Sequence, residues 1–185
     1  MSRADAAHRI VRAAISIGAA RGVGAMSLQA ISHDAGVSKA LLLYHFDGKA
    51  ALLDAVIATL ARGSESRLRT ASARPDAMEA WRTLARDEAA RGELALLCAL
   101  ALEQDVDPAP LRLLRSDREA AASVLATAAL AGVKLSPRVP AAFLGRLLLR
   151  QLDGLAMTAT RDGVAAEALE SELDAFALAL LALGR

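Results

Sequence analysis

Few residues in this chain of 185 could carry covalent chemistry. Its three histidines, His8, His33 and His45, fall on what read as three different helices, and none follows residue 45. Its one cysteine, Cys98, lies in the apolar run LALLCALAL and reads as a small buried hydrophobe. Hydrolysis, redox and metal chemistry need clustered His, Cys, Asp or Glu at coherent spacing. The acidic groups Glu103/Asp105 and Glu170/Glu172/Asp174 read instead as solvated helix faces, and Gly22-Val23-Gly24 lacks the strand a dinucleotide site requires. The sequence therefore argues against an enzyme and asks for no cofactor and no metal. The chemistry it does offer is hydrogen bonding and charge directed at phosphate. Lys39 and Lys49 can neutralise phosphates, and Tyr44 and His45 can hydrogen-bond them.

Those four side chains need a frame, and the segment SLQAISHDAGVSKALLLYHFDGK (27–49) supplies it. Ser27 is a suitable N-cap for one short helix, which buries Leu28, Ile31 and Ala35 and stops at Gly36. Ser38 caps the next, whose Leu42 and Phe46 look inward at i, i+4. Ala40 and Tyr44 then face directly away, with Lys39, Leu41, Leu43 and His45 on the flanks. Backbone N–H groups at Ser27 and Ser38 add donors for phosphate. Two short helices pinned by a turn glycine form the helix-turn-helix unit that lays a helix into a DNA groove.

The rest of the composition points to helix throughout. Ala, Leu and Arg dominate, the prolines number five, and only Met26-Ser27-Leu28 and Val133-Lys134-Leu135 have an extended flavour. The expected fold is all-α: an N-terminal three-helix helix-turn-helix DNA-binding domain (1–49) on a larger C-terminal helical ligand-binding and dimerisation domain (50–185). A first helix over 6–20 and a fourth from Lys49 to Thr70, capped by Asp47, flank the motif. Further helices are expected near 76–91, 93–105, 109–131, 137–161 and 165–183, separated by Gly92, Asp107-Pro108, Gly132, Pro137 and Asp162-Gly163. The head carries six Arg/Lys against three Asp, a net +3 within a chain of net +1, a weak footprint for DNA binding. No apolar stretch approaches the ~20 residues of a membrane span, and Asp5, His8, Arg9 and Arg12 interrupt any signal-like start, so the expected location is cytoplasmic.

In the body, Leu144, Leu147, Leu148, Leu152 and Leu155 form one apolar stripe, and Leu169, Leu173, Phe176, Leu180 and Leu181 another. The pair reads as an antiparallel hairpin, which is either intramolecular core or one half of a twofold four-helix interface. Periodicity leaves both open. Gly154 would allow close approach of a partner helix, with Arg146, Arg150 and Asp153 as a polar ridge able to pair across the boundary. A pocket wall is expected from Met78, Trp81, Ala85 and Glu88, facing Leu97, Cys98, Ala101 and Leu102, with Leu114, Arg118, Ala121 and Leu125 on the long helix. With five aromatics in the whole chain, an apolar or amphipathic small molecule met by Glu88 or Arg118 suits it better than a flat aromatic one.

The run RIVRAAISIGAARGVGAMSLQAISHDAGVSKALLLYHFDGKAALL (9–53) resembles the N-terminal domain of the tetracycline-repressor (TetR) family. The residues that carry the likeness are Ala13-Ala14, Arg21-Gly22, Ser27, Ile31, Ala35-Gly36-Val37-Ser38-Lys39, Tyr44-His45-Phe46 and Lys49. The resemblance covers about a quarter of the chain. It implies a homodimeric transcriptional regulator, usually a repressor, bound to double-stranded operator DNA and released when a small-molecule effector enters the body. It implies that the helix from Lys39 to Phe46 is the recognition helix, that Lys49 holds backbone phosphate, and that the last hairpin is the dimer interface. Two departures stand out. Ala40-Leu41 replaces the Gly-Thr pair often found after the lysine, which removes a hydroxyl and leaves base reading to thymine methyls. Ile17-Gly18 stands where an aromatic often packs, which implies a less rigid first helix. The alternative class is a helical protein-interaction adaptor, which predicts no salt-dependent retention on DNA.

Overall fold

The computed structural model describes residues 3–102, 108–163 and 165–185. Its elements in order are α1 (Arg3–Arg21), a 3-10 turn (Val23–Ala25), α2 (Leu28–Asp34), α3 (Lys39–His45), α4 (Gly48–Ser72), α5 (Ala77–Arg91), α6 (Glu93–Leu100), α7 (Pro108–Gly132), α8 (Ala141–Asp162) and α9 (Ala166–Ala182). Among the described residues there is no strand, only one isolated antiparallel bridge between Pro137 and Gly184. The chain is all-α, as its composition requires.

The head is organised by short-range signals. Ser27 Oγ accepts from the Ala30 N–H at 3.1 Å, and Ser38 Oγ accepts from Leu41 at 3.0 Å, so both serines cap as expected. Gly36 takes φ +63°. Around it, Val37 N–H reaches Ser32 O (3.0 Å) and Gly36 N–H reaches His33 O (3.1 Å). That is the double closure of a helix ending in a left-handed residue, where a side chain would be strained. Ile10, Ala14, Met26, Ile31 and Leu42 have no exposed surface and form the head's share of a core continuous with the body's. Leu28 and Phe46 are half-buried against that core. Asp47 precedes α4 without the side-chain cap bond expected of it.

α4 runs unbroken through position 49/50, so head and body share one helix there. It buries Leu52, Leu53, Val56, Ile57 and Leu60 as its pattern requires, then continues through Ser64, Leu68 and Ala71 into the body. A second seam joins α1 to α6. A Cβ on Gly18 would sit 2.7 Å from both Leu96 Cδ2 and Met26 Sδ. The glycine expected to loosen α1 is therefore the notch that Leu96 and Met26 fill.

Two boundaries in the body differ from expectation. α7 runs through Gly132 and ends on Lys134, which takes φ +62° while Leu135 N–H returns to Leu130 O at 3.0 Å. The stretch expected to be extended is thus a left-handed helix stop. α8 begins at Ala141 rather than near 137, because Ser136 and Arg185 exchange two backbone hydrogen bonds of 2.9 Å and Arg138 N–H donates to Leu183 O at 2.8 Å. That pairing with the C-terminus holds residues 136–138 out of the helix. The outer end of the expected 93–105 helix, with Glu103 and Asp105, lies outside the described residues; α6 ends at Leu100.

Candidate nucleic-acid interface and body cavity

α3 is a short helix with one buried contact line and one open face. Leu42 is fully buried and Leu41, His45 and Phe46 are half-buried. On the other side Lys39 and Ala40 are exposed, and Leu43 and Tyr44 are 44% and 63% exposed. Leu43 and Tyr44 thus give this face an apolar component beside the Lys39 charge. Tyr44 and His45 pack edge to face with ring centroids 5.5 Å apart. Lys49 stands exposed in the first turn of α4. Lys39, Ala40, Leu43, Tyr44 and Lys49 therefore all reach solvent from α3 and the adjoining first turn of α4. Leu41 turns partly toward the core and contributes less of that face than its flank position suggested. Of the two backbone N–H groups expected to serve phosphate, that of Ser27 is already donated to Ala25 O at 2.9 Å. Its hydroxyl caps α2, so Ser27 has less to offer a phosphate than the sequence implied.

In the body, a cavity of about 330 Å³ opens between α4, α6, α7 and α8. Cys98 and Arg118 line it as expected, together with Leu97, Ala101 and Leu114. Arg118 is its best-anchored polar group. Buried to 6% exposure, it donates from Nη2 to Asp153 Oδ1 at 2.9 Å and from Nε to Ser64 Oγ at 3.2 Å. One guanidinium thus ties α7 to α8 and to α4. Burial, with the nearby Asp153 carboxylate adding to it, pushes the Cys98 thiol up to about 12, which makes it a poor nucleophile.

The other pocket candidates are elsewhere. Trp81 is buried against Phe176 of α9, ring centroids 4.8 Å apart, and Leu125 is fully buried in the core. Met78 is half-buried beside that core. Glu88 is held by Arg67 through two hydrogen bonds of 2.7 and 3.2 Å, and Leu102 is 79% exposed. The apolar stripe of α5 is spent on core packing and on α9, so this helix contributes no wall. The walls that the sequence did not assign to the pocket are Ala61 on α4, Arg115 and Glu119 on α7, and Arg146, Leu149, Arg150 and Asp153 on α8. Their signal was present as the polar ridge of α8, which turns toward the cavity. Asp153 finds its partner inside the same subunit.

The leucine stripes also face inward. Leu144, Leu148, Leu152, Leu155, Leu173, Phe176 and Leu180 are buried in the chain's own core, while Leu147 and Leu169 are half-buried beside it. Away from those buried leucines the hairpin leaves Gly154, Ala175, Leu178 and Ala179 exposed, while the part-exposed Met157 borders a groove with Leu96 and Ala99 of α6. The α9 acids keep much of their surface in solvent, and two of them also tether the helix to α5. Glu170 takes a double hydrogen bond from Arg86 (2.6 and 2.9 Å), and Asp174 pairs with Arg82. Among the described residues no helix is long and apolar enough to cross a membrane.

A family model described as bacterial regulatory proteins, tetR family, matches residues 10–56. No curated protein sequence matches the chain. The whole fold is similar to a transcriptional regulator from Rhodococcus sp. Rha1, with TM-score 0.77, 22% identity, and 96% of this chain and 97% of that one covered. It is similar also to a TetR-family transcriptional regulator from Agrobacterium tumefaciens, with TM-score 0.76, 16% identity, and coverage of 96% and 98%. A putative TetR-family regulator from Mesorhizobium loti gives TM-score 0.70 at 22% identity, with 100% and 98% covered. Such regulators are not enzymes. Residues 10–56 thus match the helix-turn-helix domain of the tetR family of bacterial regulatory proteins, and the chain as a whole has the fold of TetR-family transcription regulators.

Proposed function

We propose that the chain works in the cytoplasm as a homodimeric repressor that holds operator DNA through α3 and lets go when a small molecule enters the α4–α6–α7–α8 cavity. The observation that carries the DNA half is the open face of α3, where Lys39, Ala40, Leu43 and Tyr44 project opposite the buried Leu42. Lys39 and Lys49 neutralise phosphates, and Ser38, Tyr44 and His45 help fix the register on the backbone. Ala40 and Leu43, with Leu41 at the edge, meet thymine methyls in the major groove.

Dimerisation through α8 and α9 uses the outer side of the hairpin, because the inner leucines already have partners in the subunit. Exposed Gly154, Ala175 and Leu178 support that choice. Release works through α4, which carries Lys49 at one end and Ser64, bonded to the cavity's Arg118, further along. A ligand that favours a pose of α4 in which the two recognition helices no longer fit successive grooves shifts the population off DNA. The shift is limited by its differential affinity for the two poses.

The test is retention of the purified protein on DNA flanking its own coding region, across a salt titration. Lys39→Ala is expected to weaken all sites alike and reduce the salt slope by about 2, one phosphate contact from each subunit of the dimer. Leu43→Ala should erase the preference for sites with thymine over the same sites with uracil. Loss of specificity in Lys39→Ala, with Leu41→Ala and Leu43→Ala silent, would contradict this division of labour.

A further inference from the structure

We propose that the body cavity is built for a small organic anion, a carboxylate on a short apolar tail, and that Arg146 and Arg150 are its anion clamp. This deepens, and rests on, the reading of the cavity as the effector site. Among the described residues, four arginines and two carboxylates line it. Both carboxylates are taken: Asp153 by Arg118 at 2.9 Å, and Glu119 by Arg115 at 3.1 Å. Arg146 and Arg150 remain, one turn apart on α8, exposed on the cavity's rim and without an ion-pair partner among the described residues. Two guanidiniums at that spacing offer paired forked donors that match a carboxylate better than any neutral group.

Below the rim the lining turns apolar, with Ala61, Leu97, Leu114 and Leu149. No aromatic side chain lines the cavity, so a flat ring would find nothing to stack on. Its volume of about 330 Å³ lies at the small end of the ~300–1,000 Å³ typical of ligand sites. Among the described residues a cation would meet a surplus of two positive charges and no open carboxylate. An alcohol of the same length would fill the floor and leave the clamp unused. Arg118, within the same cavity and bonded to Ser64 on α4, gives a bound anion a charged group to compete for.

The test is calorimetric titration of the full-length protein with straight-chain carboxylates from butanoate to decanoate, each beside the alcohol and the ammonium ion of equal length. The carboxylates are expected to bind about tenfold or more tighter than the alcohols, and the ammonium ions not measurably. The Arg146→Gln/Arg150→Gln variant should bring carboxylates to the alcohol level and leave alcohol binding unchanged, its melting temperature confirming an intact fold. Equal binding of acids and alcohols, a preference that survives in the variant, or no carboxylate binding at any length would overturn the proposal. Retention on DNA, read on the same protein, separates the two levels. Carboxylate binding with no DNA retained at low salt supports the clamp and overturns the regulator reading. DNA retained by a protein that binds none of the carboxylates leaves the regulator reading and overturns the clamp.

Discussion

Two glycines nine positions apart on α8 should respond to alanine in opposite directions. In a helix interior, glycine costs about 0.5–1 kcal/mol relative to alanine, so both substitutions start from the same backbone gain. At Gly154 a Cβ meets nothing within 4 Å. Gly154→Ala should therefore stabilise by ~1 kcal/mol, about 2–4 °C for a chain of this size. At Gly145 the Cβ would fall on Ser123 Oγ, 2.6 Å from the Glu119 carbonyl oxygen and 2.8 Å from the Ser123 nitrogen. Those last two atoms are backbone of α7, and an ordinary contact needs ~3.5 Å. α7 would have to retreat by more than half an ångström along a seam where Ala122, Ala126, Leu144 and Leu148 are fully buried. Overpacking of this kind costs ~1–3 kcal/mol, at the upper end when backbone cannot turn aside. Subtracting the helix gain leaves a loss of ~2 kcal/mol, or about 4–8 °C. Scanning calorimetry of both variants and the parent, at matched and varied concentrations, reads this directly. A Gly145→Ala protein that melts at or above the parent would refute the close α7–α8 crossing. A Gly154→Ala gain that fades as concentration rises would mark the outer face of α8 as covered by a second copy.

Other perturbations probe the charged and sulfur groups. Arg67→Ala strands the buried Glu88 carboxylate and should cost ~2–3 kcal/mol in urea unfolding, less than a fully buried pair because Arg67 is a quarter exposed. Glu88→Gln, which keeps a hydrogen-bonding side chain, should cost clearly less, and equal losses would contradict the pairing. Arg86 holds the Glu170 carboxyl below its ordinary range, so the α5–α9 tether is fully present above pH ~4.3 and fades as pH falls through the lowered value. Fluorescence of the chain's only tryptophan, Trp81, which packs on Phe176 of α9, should report that loss. Its midpoint should move to higher pH in Arg86→Gln; identical acid profiles would count against the tether. With its thiol pushed up to about 12, Cys98 should alkylate with iodoacetamide at pH 8 about a hundredfold more slowly than an ordinary cysteine, the scarcity of thiolate outweighing its greater nucleophilicity. Labelling at an ordinary rate would show the site to be open.

What could be read from sequence follows the range of the interactions involved. The head is built from contacts a few residues apart: the Ser27 and Ser38 caps, the Gly36 stop, and Leu42 one turn from Phe46. Each is written in residue types at fixed spacing. Apart from the left-handed stop at Lys134, which is local, what sequence misplaces is set by long-range contacts. A glycine at 18 looks like slack until Leu96, far along the chain, fills it. The stripes of α5 and α8 are legible as apolar, but periodicity does not say which neighbour each one faces. Trp81 could have lined a cavity and instead meets Phe176; the leucines of α8 could have met a second copy and instead close their own core. Arg146, Arg150 and Asp153 were legible as a ridge, and only the placement of α7 shows which side of α8 it occupies. The start of α8 depends on residues 183–185 pairing with 136–138, which no local pattern near Pro137 encodes.

The central claim is that the open face of α3 reads DNA. Footprinting the purified protein on DNA flanking its own coding region, at low salt, tests it most directly. The expected result is a protected site with twofold character, its two halves spaced by about one helical turn. Protection should vanish at the same protein concentration for a Lys39→Ala/Tyr44→Ala variant that melts like the parent. No protection of any DNA at low salt, or protection unchanged in that variant, would contradict it.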